Sequence, residues 1–260
     1  MNLIRSLFCT LGILAATAGL HAQFGGFDLN KLSNTAKSVG KMAKGVAGIG
    51  PEEERVIGGS VALEIVSTYG GLLRDEAIVH RVNLIGRTLA GCSDRPDLAW
   101  RFGVLNSNTV NAFSAPGGYV FITRGLYALA ADDDQLAGIL AHEIAHITKR
   151  HALKIIARGE FLAGASSLAA QQSKDVRAVQ AQLQQFDLGI GKIIDTLMKT
   201  GFDPNTEYEA DSVGRDLAVT AGYSRDGMRD VLEKLQQDNL GASNQVFSTH
   251  PPLKERIRRL

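Results

Sequence analysis

The sequence predicts an α+β fold that is mainly helical, with a small β-sheet beside one buried helix. Three observations carry this. Apolar residues recur at helical spacing over most of the chain beyond Pro51. The β-forming residues concentrate between Trp100 and Thr123. The run from Leu136 to Ile147 is apolar on every side of a helix, which marks burial. With 260 residues, 45% hydrophobic and 21% charged, one sizeable core and one main domain are the default. The 28 basic and 27 acidic residues leave a net charge of +1, which gives no bias toward nucleic acid.

The first segment, residues 1–22, has Arg5, an apolar stretch from Leu7 to Leu20 and then Leu-His-Ala before Gln23. This is the pattern of an export signal cleaved after Ala22, and it places the mature chain in a periplasm or outside the cell. The apolar stretch is broken by Thr10, Gly12, Thr17 and Gly19 and falls short of the roughly 20 residues a membrane span needs. Phe8 before Cys9 does not fit a lipidated cysteine. With Cys9 removed, Cys92 is alone, so no intramolecular disulfide or thiolate metal cluster can form. Any metal must be held by His and carboxylate. Cys92 itself, in Gly91-Cys92-Ser93-Asp94, reads as a surface thiol.

Residues 23–50 read as a linker. Leu29, Leu32, Val39, Met42 and Val46 recur at near-helical spacing among Lys31, Lys37, Lys41 and Lys44, the pattern of a basic amphipathic helix on anionic lipid. That would give residues 29–46 a peripheral membrane contact. Glycines at 40, 45 and 48 weaken such a helix and favour a flexible linker.

The domain proper spans 51–260. Pro51 followed by Glu52-Glu53-Glu54 suits a helix N-terminus. Trp100–Leu105 and Gly118–Thr123 read as strands around the turn Ala115-Pro116-Gly117-Gly118. Asp132-Asp133-Asp134 offer capping oxygens to a helix that the pattern carries to about Arg158, before Gly159. Residues 159–200 fit helices, a mobile cover, or both. A further helix holds Glu207 to about Ala221, with Gly222 closing it. A last helix begins at Pro251 or Pro252.

Within the buried run lies His142-Glu143-Ile144-Ala145-His146. Two histidines four residues apart share one helix face, and both imidazoles can reach one ion while Glu143 projects beside it, where a water would sit. In a sequence with 6 His, chance yields such a pattern in roughly 0.6% of shuffled versions, so context must support it. Here it does: two histidines and a glutamate buried without partners would cost several kcal/mol, and a metal satisfies all three. Zinc is the ion that best suits His and carboxylate ligands. A catalytic site needs a third protein ligand, and Glu207 is the candidate. Asp211, one turn further on, is placed to accept the spare N–H of a ligand histidine. An ordinary acidic helix start would also produce Glu207, Glu209 and Asp211. His151, nine residues after His142 on one continuous helix, falls on the opposite face and reads as a surface residue or a support to the ligands. His80 has no supporting context.

Four stretches resemble the HtpX-like and CAAX-prenyl-protease-type zinc metallopeptidases, gluzincins, in particular their periplasmic LoiP/BepA-like branch. They are Asn111–Gly125 (NAFSAPGGYVFITRG), His142–His151 (HEIAHITKRH), Glu207–Asp211 (EYEAD) and Ser248–Ile257 (STHPPLKERI). The resemblance implies a zincin-like metallopeptidase domain and one zinc per chain. It implies His142, His146 and Glu207 as ligands, Glu143 as catalytic base and Asp211 as a support to a ligand. It also places His250 near the active site, where it would donate to the oxyanion or block the metal; the competing reading is a turn histidine capping the last helix. Substrate would lie along the sheet edge at Asn111, Ala112 and Phe113 as an added strand, which selects unfolded or misfolded polypeptides. A chaperone-like or assembly role with a latent site is the alternative. Two departures stand out: Ser212 follows Asp211 where relatives usually have Arg, which puts a charge contact in doubt, and Gly201-Phe-Asp-Pro-Asn205 is an unusual approach to the third-ligand helix.

Overall fold

The computed structural model describes residues 49–157, 189–237, 249–250 and 253–260. The export signal, most of the 23–50 linker with its amphipathic stretch, and most of residues 159–200 therefore lie outside the described residues.

Helix α1 (Pro51–Thr68) starts as its sequence dictates. Pro51 occupies the first turn, and the Glu53 carboxylate accepts the Gly50 N–H at 2.6 Å. Helix α2 (Glu76–Gly91) is capped by Asp75, which accepts from the Ile78 amide. The sheet follows: β1 (Arg101–Leu105), β2 (Ala112–Ala115) and β3 (Tyr119–Thr123), in the order β1-β3-β2. Strand β3 pairs parallel with β1 and antiparallel with β2. The β2–β3 turn needs positive φ at Gly117 and Gly118, which glycine adopts without a Cβ clash. Strand β2 is thus a sheet edge, and it carries Ala112 and Phe113 of the expected edge, with Asn111 just before it.

Thr123 Oγ1 caps α3 (Arg124–Leu129). Asp132 caps α4 (Asp133–Thr148), accepting from the Gln135 amide at 2.8 Å, as the aspartate run predicts. Every residue of α4 from Leu136 to Ile147 is buried. Its apolar members pack against Val82, Ile85 and Leu89 of α2, Val120 and Ile122 of β3, and Leu217 in α6 (Pro204–Thr220). The other wall is Met228, Val231 and Leu232 of α7 (Gly227–Gln237). Each such side chain contributes about 1.5–3 kcal/mol on burial, so the core is built around the helix that carries the histidines.

The pattern predicts a single helix to about Arg158. The chain instead breaks at Lys149–Arg150 and restarts as α5 (His151–Ala157). Arg150 has φ 57°, and its guanidinium reaches back to the Ile49 carbonyl and the Glu54 carboxylate. These tertiary contacts outweigh a helix continuation that no local residue forbids.

Residues 189–195 are helical and run into a π-helical turn, Thr196–Thr200. Gly201, at φ 75°, then turns the chain into α6, where Asp203 caps the helix and Pro204 opens it. The unusual Gly-Phe-Asp-Pro-Asn approach is thus a stop signal and a start signal in succession. Gly222, at φ 90°, follows the C-cap Ala221 as expected. Helices α6 and α4 meet backbone to backbone: a Cβ on Gly214 would stand 2.9 Å from the His142 nitrogen. The last helix, α8, is Leu253–Arg259, and Pro251 and Pro252 lie outside the described residues. Among the described residues no helix is long and apolar enough to cross a membrane.

Candidate metal centre

Helix α4 presents His142 and His146 one turn apart with their Nε2 atoms 3.1 Å from each other. The close approach at Gly214 brings the first turn of α6 alongside. Glu207 Oε2 lies 3.5 Å from His142 Nε2, and Oε1 lies 3.5 Å from His146 Nε2. His250 closes the group, with Nδ1 3.0 Å from Glu207 Oε2 and 3.4 Å from His142 Nε2. One ligand atom from each of the four residues lies within 4.8 Å of the others, and all four side chains are buried. This is a three-imidazole, one-carboxylate donor set, sized and charged for a divalent cation of zinc type.

Glu143 lies beside the group. Both its oxygens are buried without a hydrogen-bond partner, and His250 Nε2 stands 3.6 Å from Oε1. A buried carboxylate left this way is costly unless a water, substrate or ion completes its surroundings. The donor set and this orphaned carboxylate together fit a hydrolytic metal site.

The charge balance extends one layer outward. His142 Nδ1 is 2.9 Å from Asp211 Oδ1. Asp211 in turn accepts from Arg256 Nε at 2.8 Å and Nη2 at 2.7 Å, and Arg256 Nη1 lies 3.3 Å from Glu207 Oε2. Burial works to raise the Asp211 pKa, but the Arg256 guanidinium and the His142 bond pull it down to about 2. Burial likewise opposes ionisation of Glu207, yet His250, His142 and Arg256 hold it well below the usual carboxylate range. Burial and Arg256 disfavour a charged His142, while its bonds to Asp211 and Glu207 carry it up to about 9 in the metal-free chain. His146 goes the other way: burial, and then the neighbouring histidines, push it well below its ordinary value despite Glu207.

The residues expected to hold a metal are brought together, Glu143 is beside them, and Asp211 contacts His142. His250 is closer than a helix-capping turn residue would be, since its ring belongs to the donor group. Ala112 and Phe113 on β2 line a small cavity with Ser114, Glu143, Leu197, Phe202, Thr249 and His250. Asn111, just before β2, is 3.4 Å by Nδ2 from Thr249 Oγ1. The edge is thus adjacent to Glu143 but covered, and the Phe202 ring stacks on His146 with centroids 4.5 Å apart.

His151 is not on the far face that one continuous helix implies, and of the two sequence readings, a surface residue or a support to the ligands, its position beside His146 fits the second. The helix break at Arg150 swings it back, and it is buried with Nδ1 2.9 Å from His146 Nδ1. Burial lowers its pKa against the opposing effect of Glu209. Arg256 was not legible as a site residue. Two sequence signals bear on it: it lies in the Ser248–Ile257 stretch, and the carboxylates Glu207 and Asp211, once buried, require a cation that Ser212 does not supply.

Two histidines a turn apart on one helix and a carboxylate from the facing helix form the ligand pattern of zinc metallopeptidases. Within that class, residues 77–260 match Peptidase family M48, and the chain belongs to this family, whose metal is zinc. It is 30% identical over 201 residues to mitochondrial metalloendopeptidase OMA1 of Schizosaccharomyces pombe, covering 76% of this chain and 57% of that protein. To the beta-barrel assembly-enhancing protease of Escherichia coli K12 it is 25% identical over 232 residues, covering 86% of this chain and 46% of the relative. With metalloprotease YcaL of Escherichia coli K12 it shares 28% over 160 residues, 61% of this chain and 60% of that one. The chain therefore spans about half the length of these relatives.

Proposed function

We propose that this chain is a zinc metalloendopeptidase of the cell envelope that hydrolyses unfolded or misfolded polypeptides. The observation that carries the reading is the Glu143 carboxylate, buried without a hydrogen-bond partner between the four-donor group and the edge strand β2. In this reading His142, His146 and Glu207 hold the metal, and zinc, when bound, supplies a polarised scissile carbonyl and a water acidic enough to react near neutral pH. Glu143 takes the proton of the attacking water and delivers it to the leaving amine. Asp211 accepts the His142 Nδ1–H and so fixes the ring with Nε2 toward the metal. Asn111, Ala112 and Phe113 align an extended substrate along the edge of β2, which requires Leu197 and Phe202 to move off it.

The apolar stretch at Leu7–Leu20 supports export, and Lys31, Lys37, Lys41 and Lys44 within residues 29–46 support a peripheral contact with an anionic membrane surface. The relative named beta-barrel assembly-enhancing protease supports a role in envelope protein quality control. Selection for unfolded chains follows from the edge, because a folded substrate cannot present an extended segment to β2 and a buried metal together.

A second reading, of a latent protease acting mainly as a chaperone-like or assembly factor, is favoured by one observation: His250 belongs to the donor group, and Phe202 with Leu197 covers β2. A fourth protein ligand closes the position that water needs. The test of the main reading is digestion of an unfolded casein and of a stable folded protein, each with zinc, after chelation and after zinc is restored. Zinc-dependent cleavage of the casein alone supports it; no cleavage by the zinc-loaded protein favours latency. In that event His250→Ala should raise cleavage, whereas a fall would identify His250 as a donor to the oxyanion.

A further inference from the structure

We propose that His151 and Glu209 form a relay that fixes the tautomer and ring orientation of His146 for metal binding. This rests on the reading of His146 as a ligand through Nε2.

The proton positions follow from the geometry. His146 Nε2 faces the donor group, 3.1 Å from His142 Nε2 and 3.5 Å from Glu207 Oε1, so a metal there requires its lone pair. A neutral imidazole with a free Nε2 lone pair has its one proton on Nδ1. That proton points to His151 Nδ1 at 2.9 Å, which must accept it. His151 then has its own proton on Nε2, and its partner there is the Glu209 carboxylate, with Oε2 at 3.3 Å. A single assignment satisfies every step: His146 Nδ1–H donates to His151, and His151 Nε2–H donates to Glu209.

The two histidines of α4 are then treated alike. His142 donates directly to Asp211, and His146 donates through one intervening ring to Glu209. Both carboxylates come from α6, the helix that also presents Glu207. Their alternation at 207, 209 and 211 sends Glu209 around α6 to a different side, where the restarted helix α5 has brought His151. The Phe202 ring holds the pair in place, stacked on His146 and edge-on to His151 with centroids 5.9 Å apart. An aromatic residue that only filled this space would need no second carboxylate at its far nitrogen. Outer partners of this kind orient ligands and raise their basicity, and losing one weakens metal binding about 10–100-fold. His151 and Glu209 are positioning residues in this scheme, and neither touches substrate.

The experiment titrates chelated, metal-free protein with zinc against a competing chromophoric chelator, and records the melting temperature of each metal-free variant. His151→Phe should lose about 10–100-fold in zinc affinity while its metal-free melting stays within a few degrees of the wild type. Glu209→Ala should lose less, about threefold to tenfold, because the acceptor is 46% exposed. The double variant should bind no more weakly than His151→Phe alone, since the two act in series. Wild-type zinc affinity in His151→Phe, or additive losses in the double variant, would overturn the relay and leave the ligand assignment intact. A wild-type protein that binds no zinc would overturn both. Should His151→Phe fail to fold, Glu209→Ala and the long-range 1H–15N imidazole spectrum of the zinc-loaded wild type decide the matter. The spectrum should show His151 protonated at Nε2 and bare at Nδ1, and the opposite tautomer contradicts the relay.

Discussion

Glu54 lies far from the metal group in sequence, yet its replacement tests how the end of α4 is held. Its carboxylate is fully buried and accepts from Arg95 Nη1 and Nη2 at 2.8 Å each, Arg150 Nη2 at 3.0 Å and the Gly117 amide at 3.1 Å. It thereby joins α1, the β2–β3 turn and the break between α4 and α5. Glu54→Leu removes all four bonds at similar side-chain volume. Breaking a buried pair costs about 3–5 kcal/mol when the orphaned charge stays buried. Here the Arg95 and Arg150 side chains are 19% and 26% exposed and can turn to water, which places the loss near the lower end, at about 3 kcal/mol. Against a total stability of about 5–15 kcal/mol, and with a urea dependence of about 2 kcal/mol per molar, the unfolding midpoint should fall by about 1.5 M. Both proteins are compared in chelator, so that metal binding does not contribute. The pH dependence gives a second check. Burial raises the Glu54 pKa, but Arg95, the Gly117 amide and Arg150 outweigh it and leave it below the usual 4.5. A depressed carboxylate stabilises fully above its unfolded pKa and loses that contribution as pH falls through its folded value. The difference between wild type and variant should therefore be constant from pH 6 to 8 and shrink below about pH 4.5. A midpoint shift under about 0.5 M, or a difference that grows in acid, would refute the reasoning.

Other perturbations probe the site directly. Arg256→Met leaves Asp211 and Glu207 buried without their guanidinium and should cost the metal-free protein about 3–5 kcal/mol, read by thermal unfolding. The same variant should unfold at a higher pH on acidification, because Asp211, held at about 2 by Arg256, stabilises above its ordinary 3.8 and loses that contribution as pH falls toward 2. Asp211→Asn should weaken zinc binding about 10–100-fold in chelator competition, and it should also lower metal-free melting, because the buried Arg256 guanidinium keeps only the Glu207 carboxylate as a charged partner. Gly214→Ala forces α6 away from the His142 backbone, and should cost about 1–3 kcal/mol in stability together with zinc affinity, because Glu207 moves with its helix.

Several parts of this architecture are legible in the sequence because their causes are local. The start of α4 follows from the Asp132 cap, the burial of its central run from its composition, and the end of α6 from Gly222. The metal group is legible for the same reason: histidines four residues apart on a buried helix have few other uses. The break at Arg150 has no local cause, since neither Gly nor Pro marks it. It depends on Glu54 and Ile49, about a hundred residues earlier, so a helical continuation places His151 on the wrong face. Arg256 is hidden by a related effect. The missing arginine after Asp211 suggests a lost charge contact, while the guanidinium arrives from a helix 45 residues further on. The small sheet is intermediate: its β-formers are evident, but the order β1-β3-β2, which puts β2 at the edge beside Glu143, is a property of the pairing rather than of any strand.

The central claim is that His142, His146 and Glu207 hold zinc while Glu143 does the proton transfer. The most direct test measures bound zinc and cleavage of an unfolded protein side by side in wild type and Glu143→Gln. About one zinc per chain in both, with cleavage only in the wild type, is the result that follows from a base that is not a ligand. Equal cleavage in the two proteins, or loss of zinc on changing Glu143 alone, would contradict the account.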